Sequence, residues 1–235
     1  MPRLHGVSPA ASQLTIPEKL AIARTLGQNL AQLHRATWPV AGEYDLASNT
    51  IQPFPDGFAA WIVADIRRWL ALAQDNGSAA TTADDVIWTE RMIEAAQTAL
   101  AVECEPCFVM NDYNPGNVLV DRMHGVWQVT GLFDLMEYYF GDGEADLMRT
   151  IAIYLDSEPL HGMQLAQTFG TSYLEQRPPR PGFAKRYALY MLRDRLIAWE
   201  YGTRPAVQWF PEGQSLRDYA EPYTISGRLF ASAVT

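Results

Sequence analysis

A chain of 235 residues with 48% apolar and 19% charged side chains can bury one sizeable core, which excludes a disordered or low-complexity protein. Lys and Arg number 18 against 27 Asp and Glu, a net charge of −9; that sign excludes a general nucleic-acid or anionic-membrane binder and suits cationic or metal-bound partners. No stretch approaches the roughly 18 consecutive apolar residues of a membrane span, and polar sequence follows Met1–Gly6 where a signal peptide would be apolar. With only two cysteines there is no disulfide scaffold, so a cytoplasmic location is expected. Cys104 and Cys107 form a Cys-x-x-Cys with no second pair and no His at finger spacing, and they read as structural; a metal or redox role is the remote alternative.

In chain order, Thr15-Ile16-Pro17-Glu18 is a capping box, and apolar residues from Leu20 to Leu33 at three- and four-residue steps predict a helix ending near Arg35, stopped by Trp38-Pro39. A second helix is predicted over about 56–74, broken by Asp75-Asn76-Gly77-Ser78, and a third over about 83–101 with Asp84 and Asp85 at its start. Short apolar runs follow at Cys107–Met110 and Val118–Val120, then the β-rich Val126–Phe133, with Asp121–Gly125 as a hairpin loop. Helices resume over about 144–155, 160–175 and 183–201, and the tail from Gly202 holds one or two short ones. The expected fold is mainly α with a small β-hairpin in its middle.

The middle segment carries the chemistry. Asp112 and Asn117 lie five positions apart around an Asn-Pro-Gly turn, and Asp134 follows 17 residues after Asn117, at the far end of the hairpin. Oxygen ligands from Asn and Asp suit Mg²⁺, with nucleotide phosphates completing its shell. A carboxylate one short loop away can take the proton of an attacking hydroxyl. Asp-x4-Asn followed by a later Asp is the protein-kinase order of base, metal ligand and metal ligand. An Asp-x4-Asn by itself is weak evidence, because Asn-Pro-Gly is also ordinary turn chemistry.

On these residues the chain resembles the aminoglycoside phosphotransferase and choline-kinase-like family of small-molecule kinases. That family has a His-Gly-Asp-x4-Asn loop, an apolar strand ending in Asp, and a Gly-Asp…Ala-Asp-Leu run, seen here as Gly141–Leu147; Leu26–His34 resembles its helix ending in Leu-His. The resemblance implies a protein-kinase-like C-terminal lobe and an ATP-dependent (or GTP-dependent) phosphotransferase acting on a small-molecule hydroxyl with Mg²⁺. It makes Asp112 the catalytic base, Asn117 and Asp134 the metal ligands, Asp146 a tie between its helix start and the catalytic loop, and His34 a core histidine. Glu137 and Asp142, in an acid-rich stretch whose one base is Arg149, and Glu200, beside Trp199 and Tyr201, are the expected acceptor contacts. The same acids could equally cap helices and decorate solvated faces.

Two departures stand out. Met110-Asn111 replaces the family His-Gly, which loosens or repacks the loop's support without removing a reacting group. Nothing in the chain matches the family's β-rich N-terminal lobe; residues 1–14 resemble the hinge that precedes the helical lobe, taken as 15–235. The lobe alone is therefore expected to bind nucleotide weakly and turn over little. A shortened chain, a split enzyme and a degenerate remnant would each explain this. The face left uncovered would expose apolar groups and invite a dimer or a partner lobe. The alternative reading is a non-catalytic kinase-like binding or scaffold protein.

Overall fold

The computed structural model describes residues 5–11, 13–76, 80–227 and 230. In chain order its elements are α1 (Ile16–Leu33), β1 (Gly42–Asp45), β2 (Thr50–Pro53), α2 (Gly57–Asp75), α3 (Ala83–Leu100), β3 (Cys107–Val109), β4 (Val118–Met123), β5 (Val126–Leu132), β6 (Tyr139–Gly141), a 3-10 turn (Gly143–Asp146), α4 (Leu147–Ser157), α5 (Gly162–Leu174), α6 (Phe183–Gly202) and α7 (Leu216–Thr224). They divide into two compact units, one drawn from 1–53, 104–179 and 229–235, the other from 54–103 and 180–228.

In the first unit the predicted capping box opens α1: the Glu18 carboxylate accepts from the Thr15 N–H at 2.9 Å. Ile22, Ala23, Leu26 and Leu30 form its buried stripe. The stripe packs on α5, and α5 on α4. The approach of α1 to α5 is set at Gly27, where a Cβ would stand 2.2 Å from the Phe169 carbonyl oxygen. Glycine is therefore required at this crossing for steric reasons.

β4 and β5 make the expected hairpin. Its two-residue turn is His124-Gly125, with φ of 52° and 82°, the left-handed pair that matches strand twist. Val7 adds to the free side of β4 by exchanging two backbone hydrogen bonds with Val120, each 2.9 Å. A second, antiparallel sheet in the order β2-β1-β6-β3 was not foreseen in the sequence. The helix expected from residue 144 begins as a 3-10 turn and becomes α-helical at Leu147.

The second unit is formed by α2, α3, α6 and α7. Its core holds Phe58, Ile62, Ile66, Trp88, Ile93, Leu196 and Trp199. The buried Asp65 carboxylate takes Arg68 and Arg193, each at 2.6 Å, so the charge it brings inside is compensated from two helices.

Candidate active site

The loop between β3 and β4 is fixed from several sides. Asp146, at the end of the 3-10 turn, is 1% exposed. Its Oδ2 accepts from the Met110 N–H and its Oδ1 from the Asn111 N–H, both at 2.8 Å. The same carboxylate faces His34 Nε2 at 3.3 Å, and His34 Nδ1 meets the Tyr173 hydroxyl at 2.9 Å. Asp146 thus ties its helix start to the β3–β4 loop, and His34 is a core residue. Met110 is fully buried and fills its site as an apolar plug. Asn111 has φ +65°, the left-handed region that glycine enters freely and Asn tolerates, which accounts for Asn standing where the family has Gly.

Beyond Asn111 the loop continues to be held. The Tyr113 hydroxyl donates to the Leu26 carbonyl (3.1 Å) and to Asn29 Oδ1 (3.0 Å), while its own carbonyl accepts from Thr150 Oγ1 at 2.6 Å. Asn114 builds the turn itself, its Oδ1 accepting from the Gly116 N–H at 2.7 Å.

The structure brings Asp112 and Asn117 together: Asn117 Nδ2 donates to Asp112 Oδ2 at 2.6 Å and to the Asp112 carbonyl at 3.0 Å. Asn114 Nδ2 donates to Asp112 Oδ1 at 3.0 Å. Asp134, exposed and at φ +61°, follows directly on Phe133, whose N–H bonds the Asn117 carbonyl at 3.2 Å. Burial holds the Asp112 carboxyl above the ordinary aspartate range; Arg149, Asn117 and Asn114 pull it back, and the negative charge of Asp134 pushes the same way as burial. Asp112 and Asp134 therefore share one electrostatic neighbourhood.

This donor set fits Mg²⁺. Because Asn117 commits its amide nitrogen to Asp112, its Oδ1 remains as an acceptor, and Asp134 offers an exposed carboxylate. Two protein oxygens with phosphate and water completing the shell are the usual terms for this ion. Among the described residues no three His, Cys, Asp or Glu side chains gather into a cage.

The three expected acceptor contacts stand in different surroundings. Glu137 is exposed on the loop three residues past Asp134. Asp142 is 3% exposed, and its Oδ1 accepts from the Glu144 N–H at 3.1 Å, capping the 3-10 turn. Glu200 belongs to the second unit; it is 5% exposed and paired through both oxygens with Arg204, at 2.9 and 2.8 Å. There it borders a cleft of about 460 Å³ with Leu72, Asp75 and Asn76. Two members of the site escaped the sequence reading. Asn114 was absorbed into turn chemistry. Arg149, whose Nε stands 3.2 Å from Asp112 Oδ1, was noted only as the lone base of an acidic stretch. Its signal was its place three residues after Asp146, one helical turn from the residue that anchors the loop.

Residues 1–188 match the family model for the phosphotransferase enzyme family (APH), and the chain belongs to that family. The matched family is one of phosphotransferase enzymes, and the solved structures that follow share this chain's fold. Among solved structures it is similar to a putative fructosamine-3-kinase from Thermobifida fusca, with 20% identity, 94% of this chain and 67% of that one covered, and a TM-score of 0.57. It is also similar to the aminoglycoside phosphotransferase APH(4)-Ia in a ternary complex with AMP-PNP and hygromycin B (15% identity, 98% and 70% covered, TM-score 0.60). A choline/ethanolamine kinase family protein from Mesorhizobium loti shares the fold as well (16% identity, 96% and 71% covered, TM-score 0.51). No curated protein matches the chain.

Proposed function

We propose that this chain is the catalytic helical lobe of an ATP-dependent O-phosphotransferase acting on a hydroxyl of a small molecule, an aminoglycoside-like compound or another amino alcohol or sugar. The observation that carries the reading is the 2.6 Å bond from Asn117 Nδ2 to Asp112 Oδ2, with Asp134 close enough to influence Asp112. Asp112 orients the acceptor hydroxyl and takes its proton. Asn117 Oδ1 and the Asp134 carboxylate would hold Mg²⁺, which when bound neutralises charge on the phosphates. The Asp146 network keeps Asp112 in place while the reacting groups are aligned, since phosphoryl transfer depends mostly on positioning.

Glu137, exposed near Asp134, is the acid best placed to meet a cationic acceptor. Phe133, Leu135 and Met136 are exposed beside Asp134, 39%, 40% and 84%, which supports a covering partner lobe or second copy on this face. Cys104 and Cys107 are not joined in a disulfide. No helix among the described residues is long and apolar enough to cross a membrane.

Met110 in place of the family His would favour the scaffold alternative if it left the loop without support. That residue is buried, and the loop N–H groups are bound by Asp146 without a histidine at position 110. Phosphate transfer from Mg·ATP to a panel of amino alcohols, sugars and aminoglycosides, compared with Asp112→Ala and Asp134→Ala, tests the proposal. Transfer abolished by both substitutions supports it; transfer unchanged by both refutes it.

A further inference from the structure

A carboxylate offers about four lone-pair positions, two on each oxygen. Those of Asp112 are not equivalent. Oδ1 accepts from Asn114 Nδ2 at 3.0 Å and is also faced by the Arg149 guanidinium, Nε at 3.2 Å. Oδ2 accepts from Asn117 Nδ2 alone among the described side chains, at 2.6 Å. The two cationic or amide partners of Oδ1 come from the turn and from α4, whereas Asn117 reaches Oδ2 from the start of β4. Arg149 is held at its station by its neighbour: Thr150 Oγ1 binds the Tyr113 carbonyl at 2.6 Å, which pins the first turn of α4 to the catalytic loop.

A guanidinium beside one oxygen draws the carboxylate's charge toward it. Each oxygen takes one amide hydrogen bond, and the Arg149 Nε stands beside Oδ1 as a charge and not as a hydrogen-bond donor, so an incoming hydroxyl would meet an amide and a cation at Oδ1 but an amide alone at Oδ2. We propose that Arg149 is a positioning residue that covers Oδ1 and leaves Oδ2 as the atom that receives the acceptor proton; this rests on the phosphotransferase reading above. In the step, the acceptor O–H bond breaks with its proton passing to Oδ2. The acceptor oxygen bonds to the γ-phosphorus, and the β,γ-bridging P–O bond breaks with its electron pair leaving on the nucleoside diphosphate. Arg149 also sets a fixed positive charge beside the base, in a stretch where Asp142 and Asp146 are spent on the fold.

The test uses the full chain and the variants Arg149→Met and Arg149→Lys. With Mg·ATP and the acceptors of the panel, Arg149→Met should lower kcat by about 100-fold, the cost of a base displaced by about 1 Å. The KM for Mg·ATP should stay within about threefold, because no ground-state nucleotide contact is removed. Arg149→Lys should recover a large part of the loss, since an ammonium supplies charge without the planar fork. Independently of turnover, the Arg149 Nε–H resonance should move on Asp112→Asn, and Mg·ADP should bind Arg149→Met as it binds the parent. The resonance decides the matter where turnover is too slow to time. Binding of Mg·ADP with an unaltered kcat in Arg149→Met, or a resonance indifferent to Asp112→Asn, overturns this inference alone. Absence of Mg·ADP binding in the parent overturns the phosphotransferase reading and this inference with it.

Discussion

Asp146 and Asn111 lie 35 residues apart in sequence, yet Asp146 Oδ1 accepts the Asn111 N–H at 2.8 Å. One buried carboxylate thus holds the peptide that precedes Asp112, with the Met110 N–H on its other oxygen and His34 alongside. Removing it leaves two buried N–H groups and a histidine without their acceptor. Hydrogen bonds to a charged group are worth about 1.5–3 kcal/mol each, so Asp146→Ala should cost about 3 kcal/mol or more. Urea denaturation measures this. A loss below about 1 kcal/mol would mean that the loop is held by something else.

Asn111 adopts φ +65°. Asn111→Gly should be tolerated within about 0.5 kcal/mol, and Asn111→Val should destabilise by about 2 kcal/mol, because a β-branched side chain pays the full left-handed penalty. Thermal unfolding of the two variants side by side checks the order. Equal midpoints would show that this backbone conformation is not maintained in solution.

Asp112 gives a pH dependence. Burial, the largest influence, raises its carboxyl above the ordinary value of 3.8 despite Arg149. The native state therefore keeps this proton to higher pH than the unfolded chain does. Stability contributed by the protonated form is present below the unfolded value and is lost as pH rises through the folded one. Relative to wild type, Asp112→Asn should gain stability between pH 4 and pH 7, as chemical denaturation across that range would show. A relative loss would mean that the Arg149 pairing outweighs burial.

Cys107 is fully buried, and its thiol is pushed up to about 12, chiefly by burial. Since the thiolate is the reacting species, iodoacetamide at pH 8 should leave Cys107 unmodified in the native protein, while half-buried Cys104 is the more accessible of the two. Peptide mapping by mass spectrometry after quenching reads both positions. Rapid modification of Cys107 would contradict its place at the start of β3.

The helices were legible because their signals are local. Thr15 with Glu18 and the three- and four-residue apolar steps of α1 need no tertiary information. The β4–β5 hairpin was legible from its β-rich runs and intervening turn. β1 and β2 were not: each has four residues, and their exposure does not alternate, so neither offers a period to count. β3 and β6 have three residues apiece and become strands only by pairing, β3 with β6 and β6 with β1 on its other side. At the site, Asp112, Asn117 and Asp134 carry a spacing that chemistry explains. Arg149 carries only its place one helical turn after Asp146, whose meaning arises when α4 folds back onto the loop. Asp142 and Glu200 look like free acids in sequence because their partners, the Glu144 N–H and Arg204, are defined by turn and helix geometry.

The most direct test is the binding of Mg·ATP followed by isothermal titration calorimetry, with and without Mg²⁺, in wild type and in Asp134→Asn. The account predicts binding that requires Mg²⁺ and is weakened at least about tenfold in Asp134→Asn, roughly 1.4 kcal/mol. Binding indifferent to both the ion and the substitution, or no binding at all, would contradict the assignment of Asn117 and Asp134 as the metal-holding pair beside Asp112.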